Sequence, residues 1–151
     1  MRFAGFDFVP VSITFDDGNK CQHEDFFPVM KEHGVRGPFY VTVDTLGLRN
    51  QMSLSDLKEI YKAGNEIASH TCTHPHLPGL SEIELDRELK KSKDFLEPFG
   101  CKSLTYPYGK YNDRVIDYAK RYYAAARGYY DPSKQSRDCG YNYGGQMRLT
   151  G

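Results

Sequence analysis

The chain has 151 residues, and its 20 basic and 20 acidic side chains cancel to a formal charge of zero. That balance argues against a nucleic-acid binder working through a broad basic field and against a polybasic membrane anchor. Hydrophobic residues at 39% and charged residues at 26% argue against a disordered chain, and no apolar run approaches the ~18 residues of a membrane span. The length fits one domain, taken as residues 1–151, that can bury a core without disulfides.

The first residues, Met1 to Asp7, do not read as a signal peptide because Asp7 interrupts any apolar core, so a cytoplasmic protein is expected. Val9 to Phe15 is a β-branched, partly alternating run that stops at Asp16-Asp17-Gly18, which predicts a strand ending on two acids. Glu24 to His33 has helical spacing of Phe26, Phe27 and Met30, tolerates Pro28 in its first turn, and stops at Gly34. Gly37 to Val43 predicts a second strand.

Ser53 opens the next helix as N-cap with Asp56 three residues on, its apolar positions being Leu54, Leu57, Ile60 and Tyr61, and Gly64 closes it. Glu66 to Ser69 is a short strand leading into His70. Ser81 and Glu84 form a second capping pair for a helix through Ile83, Leu85, Leu89 and Phe95 to Pro98 or Gly100. Ser103 to Tyr106 is a strand candidate ending at Pro107. Asn112 or Asp113 caps a helix through Val115, Ile116, Tyr118 and Ala119, and Tyr123 to Ala126 and Gln146 to Thr150 complete the strand candidates. Alternating strand and helix signals predict a parallel sheet or a β/α barrel, whose functional groups collect at the carboxyl ends of strands.

Two motifs carry chemistry. In Thr14-Phe15-Asp16-Asp17-Gly18, neighbouring acids share a site only if the chain turns, which Gly18 permits. Two carboxylates there can divide metal binding and proton transfer, although Asp-Asp-Gly is also a common solvated turn. In Ser69-His70-Thr71-Cys72-Thr73-His74-Pro75-His76, two histidines four apart can present imidazoles to one zinc-like metal from one helical turn or one tight loop. His76 reads as a loop residue, and His23 and His33 as surface or helix-end residues. Asp plus two His is a three-ligand set with an open position, the catalytic pattern rather than the structural one. The four cysteines, Cys21, Cys72, Cys101 and Cys139, are scattered without a Cys-x-x-Cys pair and read as reduced thiols.

Thr-Phe-Asp-Asp-Gly followed by His-Thr-x-x-His resembles the polysaccharide deacetylases of carbohydrate esterase family four, over about Val11 to Asn112. The resemblance implies a distorted β/α barrel and removal of N- or O-acetyl groups from sugar polymers. It makes Asp16 the general base and Asp17, His70 and His74 the ligands of a divalent metal, zinc or cobalt. The family's Arg-x-Pro-Tyr segment corresponds to Thr105-Tyr106-Pro107-Tyr108, which implies Pro107 and Tyr108 at the substrate groove and the Tyr108 N–H in an oxyanion hole. Thr105 stands where the family has Arg; Arg127 or Arg148 could substitute from another strand, but the favoured reading of each is a surface arginine. The family's Leu-x-His acid has no match, since no histidine follows His76.

Ten of the twelve tyrosines lie from Tyr106 onward; apart from Tyr108 they read mainly as packing residues, Tyr118, Tyr122 and Tyr123 above all. With about six strand candidates, an open, shortened or incomplete barrel is expected. The expected activity is metal-dependent deacetylation of an N-acetylglucosamine-containing glycan or oligosaccharide. The alternatives are hydrolysis of small or cyclic amides at the same site and a non-catalytic carbohydrate-binding remnant. No nucleic-acid or membrane partner is expected.

Overall fold

The computed structural model describes residues 11–128 and 147–149. Its helices begin where short polar side chains meet the first free backbone N–H groups. Helix α2 (Leu54–Lys62) starts on a full capping box: the Ser53 hydroxyl accepts from the Asp56 N–H and the Asp56 carboxylate accepts from the Ser53 N–H. Helix α3 (Glu82–Leu96) repeats the device with Ser81 and Glu84. Helix α4 (Asp113–Ala119) is capped by Asn112, whose side-chain oxygen accepts from the Val115 N–H. Helix α1 (Phe27–Glu32) carries Pro28 in its first turn and is entered through a π-helical turn at Gln22–Phe26. The helical stretch thus starts before Glu24, on a wider turn than the spacing predicts.

Between these helices lie strands β1 (Pro38–Val41), β2 (Glu66–Ser69), β3 (Ser103–Thr105), β4 (Ala125–Arg127) and β5 (Met147–Leu149). They form one sheet in the order β1-β2-β3-β4-β5, parallel throughout except for the antiparallel β4–β5 pair. Each parallel strand lies beside the next in sequence, so the sheet grows in one direction as a barrel wall does and shows no switch point of a doubly wound sheet. It does not close. The result is the shortened, incomplete β/α barrel expected from the sequence.

The predicted strand over Val9–Phe15 is much reduced. Residues 9 and 10 lie outside the described residues, and from 11 to 15 only Phe15 pairs, through a parallel bridge to Phe39. Its N–H donates to the Pro38 carbonyl at 3.1 Å and its carbonyl accepts from the Tyr40 N–H at 2.7 Å. A β-branched run becomes a strand only where a neighbour completes its ladder, and Val11 at 85% exposure has none to pack on. At the other end, β4 starts at Ala125 and extends to Arg127, two residues later than Tyr123.

The pleat separates two faces. Phe39, Val41, Ile67, Leu104 and Ala126 join the main apolar core with Leu57 and Ile60 of α2 and Leu85, Leu89 and Leu96 of α3. Burying each such leucine or isoleucine contributes about 1.5–3 kcal/mol relative to exposure. Leu54, Tyr61, Ile83 and Phe95, predicted on the buried faces, remain exposed because the helices turn the stripes Leu57/Ile60 and Leu85/Leu89/Ser92/Leu96 inward. The opposite face of the sheet is more polar: Tyr40, Ser103, Thr105 and Arg127 alternate with the core residues along β1, β3 and β4. Tyr123 is buried with its hydroxyl bonded to Ser69, Ser92 and the Leu89 carbonyl, a packing role like that predicted. Cys21, Cys72 and Cys101 are free thiols; Cys139 lies outside the described residues. Among those residues no helix is long and apolar enough to cross a membrane.

Candidate metal centre

Four strand ends converge. Asp16 and Asp17 follow the Phe15 bridge, His70 follows β2, Thr105 ends β3 ahead of Tyr106-Pro107-Tyr108, and Arg127 ends β4. Parallel strands point their carboxyl ends the same way, so residues far apart in sequence arrive at one rim.

Asp17, His70 and His74 meet there, each offering one ligand atom, with all three atoms within 4.8 Å of one another. Asp17 Oδ1 lies 3.3 Å from His70 Nε2 and 3.5 Å from His74 Nε2. The two Nε2 atoms are 3.0 Å apart. The His pair comes from a tight loop after β2, the second of the two geometries open in the sequence.

The surrounding bonds fit a metal. His70 is buried, and its Nδ1 donates to the Thr105 carbonyl at 2.8 Å. That bond places the ring proton on Nδ1 and turns the Nε2 lone pair toward Asp17 and His74, the tautomer a metal ligand requires. Burial pushes the His70 pKa below its ordinary value, against the opposing pull of the Thr105 carbonyl and of Asp16 and Asp17. A neutral imidazole results, as ligation demands. One carboxylate and two imidazoles suit zinc and its first-row neighbours.

The backbone at this rim is strained. Among the described residues, Asp17 (φ 75°), Thr71 (68°), His74 (61°) and Tyr108 (57°) are four of the five non-glycine residues in the left-handed region. Such conformations cost on the order of 1–3 kcal/mol each and persist where surrounding contacts impose them. Here those contacts are visible. The Gln22 amide donates to the Asp16 carbonyl. The Gln51 amide, its orientation assigned from the hydrogen-bond network, donates to the Asp17 and Gly18 carbonyls at 3.1 and 2.9 Å. The Thr71 hydroxyl accepts from the His74 N–H at 3.1 Å.

Asp16 lies beside the triad, and its Oδ1 accepts from Arg127 Nη2. The Arg127 guanidinium also sits 4.6 Å above the Tyr40 ring centroid, a cation–π contact that fixes its plane. Arg127 is therefore not the surface arginine favoured from the sequence but the alternative weighed there, a largely buried partner of the predicted base reaching it from another strand. Its strand position explains this: Arg127 pairs in register with Thr105, the residue standing where the family has arginine. The Arg148 backbone pairs with Ala126 on the far side of β4.

Tyr108 is half exposed at the mouth. Its ring meets His74 edge-on at 4.6 Å and lies parallel to the His76 ring at 4.0 Å. His76 is a loop residue as predicted, yet it borders the site, which its sequence position gave no way to see. Pro107 is buried in the turn that presents Tyr108. His23 is not a plain surface residue: it bridges Asp56 and Glu59 from a partly buried position away from the triad.

A family model for polysaccharide deacetylase matches residues 7–126. The chain belongs to the polysaccharide deacetylase family. Bacillus subtilis (strain 168) YxkH is 29% identical over 133 residues, covering 86% of this chain and 48% of YxkH. The chitin deacetylase of Arthroderma benhamiae is 33% identical over 110 residues, covering 70% of this chain and 29% of that enzyme. Among solved structures, the Streptococcus pyogenes deacetylase PplD in complex with acetate superposes with a TM-score of 0.70 at 28% identity, over 73% of this chain and 51% of PplD. The chain thus spans about half or less of the length of these three proteins.

Proposed function

We propose that this polysaccharide deacetylase-family chain is a metal-dependent hydrolase that removes acetyl groups from N-acetylglucosamine-containing oligo- or polysaccharides. The carrying observation is that Asp17, His70 and His74 converge on one point, with Asp16 beside them in the grip of Arg127. Asp17, His70 and His74 would hold the ion, zinc or cobalt by donor chemistry. A divalent ion bound there supplies Lewis acidity toward water and an amide carbonyl.

The chain's own groups supply the rest. Asp16 accepts a proton from the attacking water through the carboxylate oxygen not bound to Arg127. Arg127 holds that carboxylate in one orientation. The Tyr108 N–H is read as a donor to the oxygen that gains charge as the carbonyl is attacked, and the Pro107-Tyr108 turn borders the glycan. Returned from the same carboxyl to the departing nitrogen, the proton taken by Asp16 balances the step. The substrate class is supported by the names of similar proteins, a chitin deacetylase among them.

The test is acetate release from N-acetylglucosamine oligomers by zinc-loaded protein. The wild type should release acetate, chelation should stop it, and Asp16→Asn should abolish it while retaining the metal. Activity retained in Asp16→Asn would overturn the role of Asp16. Glycan binding with no acetate released by the loaded wild type would instead leave a carbohydrate-binding domain.

A further inference from the structure

Outside the triad and its arginine, one acidic side chain is tied to the histidine loop more closely than any helix-surface role needs. Glu88 lies in α3, beside the buried Leu85/Leu89/Ser92/Leu96 stripe that anchors the helix. Its Oε2 accepts from two consecutive backbone N–H groups, Cys72 at 3.0 Å and Thr73 at 2.8 Å. Its Oε1 accepts from the Thr73 hydroxyl at 2.8 Å. Successive N–H groups converging on one oxygen form a backbone nest, a concavity that selects an anion. These are the residues between His70 and His74, flanked by the left-handed Thr71 and His74.

We propose that Glu88 is a positioning residue that holds the His70–His74 loop in its ligand-presenting conformation, and so sets the affinity of the site for a divalent metal. The proposal rests on the metal reading above. Cys72 is buried, so without the carboxylate its N–H would lose its partner in a place where water cannot easily replace it. The loop's other lateral ties engage different atoms: the Val43 and Asp44 N–H groups donate to the Thr71 and Cys72 carbonyls at 3.2 and 2.9 Å, and the Cys72 thiol donates to Asp44 at 3.1 Å with Lys91 closing on Asp44. Glu88 holds the Cys72 and Thr73 N–H groups, which those ties leave untouched, and so fixes the middle of the backbone that aims the two imidazoles. Groups that orient metal ligands from behind typically change affinity by about ten- to a hundredfold when removed.

The test is zinc titration of the full chain against a chromophoric chelator, for wild type, Glu88→Ala, Glu88→Gln and Ser81→Ala. Ser81→Ala weakens the start of the same helix without touching the loop. Glu88→Ala should weaken zinc binding about tenfold or more, Glu88→Gln by less because one acceptor oxygen remains, and Ser81→Ala should leave it unchanged. Wild-type affinity in both Glu88 variants, or equal weakening in Ser81→Ala, overturns the proposal. Amide hydrogen exchange at Cys72 and Thr73 in metal-free protein gives an independent reading. Faster exchange in the Glu88 variants than in Ser81→Ala supports the clamp, and unchanged exchange overturns it. A wild type that binds no zinc but shows this exchange effect would sink the metal reading and leave the loop clamp standing.

Discussion

Thr105 and Arg127 face each other on neighbouring strands, and that pairing gives Asp16, the proposed base, a cation although Thr105 stands where the family has arginine. The guanidinium enters from one strand over and reaches Asp16 all the same. A hydrogen bond to a charged group contributes about 1.5–3 kcal/mol, or roughly one to two decades in rate. Arg127→Met should therefore lower acetate release about tenfold to a hundredfold while zinc content stays at the wild-type level. Full activity in that variant would show that Asp16 needs no cation. The three converging side chains were legible in the sequence because Asp17 and His70 follow short apolar runs, His74 lies four residues beyond His70, and the two segments resemble the family's motifs. Arg127 was legible only as one of two candidates, beside Arg148: it lies 111 positions from Asp16, and the β3–β4 register is what singles it out by setting it opposite Thr105.

At the level of elements, capping decides where helices begin and also ties them to the site. Asp56 closes the α2 capping box and accepts from the Lys20 ammonium at 2.7 Å, three residues beyond Asp17. Burial alone would raise its pKa, but the bonds from Lys20 and Ser53 outweigh that and hold the carboxyl below its ordinary value of 3.8. A carboxyl with a depressed folded pKa adds stability that is present above its unfolded value and lost as the pH falls through the folded one. Asp56→Ala should lower the stability of the protein by about 1–2 kcal/mol at neutral pH, read as a shift in urea midpoint. The gap between variant and wild type should shrink as the pH drops below 3.8. A gap independent of pH would show that the ionised carboxylate contributes nothing. These caps were readable beforehand because Ser53 and Asp56, or Ser81 and Glu84, lie within one turn of each other. The Val11–Phe15 segment shows the converse, since strand character depends on a partner supplied from elsewhere, and only Phe15 meets one.

Across the whole molecule, a sheet that grows strand by strand carries an apolar helix-covered face, a more polar opposite face and a rim where four strand ends deliver Asp16, Asp17, His70, Tyr108 and Arg127. Strained backbone collects at that rim and is held there by Gln22, Gln51 and Glu88. Such an arrangement fits a centre whose last stabilising contact is an ion. Zinc stoichiometry after dialysis against excess metal, compared between wild type and the Asp17→Ala/His70→Ala/His74→Ala variant, tests this most directly. The wild type should retain about one zinc per chain and the triple variant none. A wild type that retains no zinc, or a triple variant that retains as much, would contradict a metal centre at these three residues.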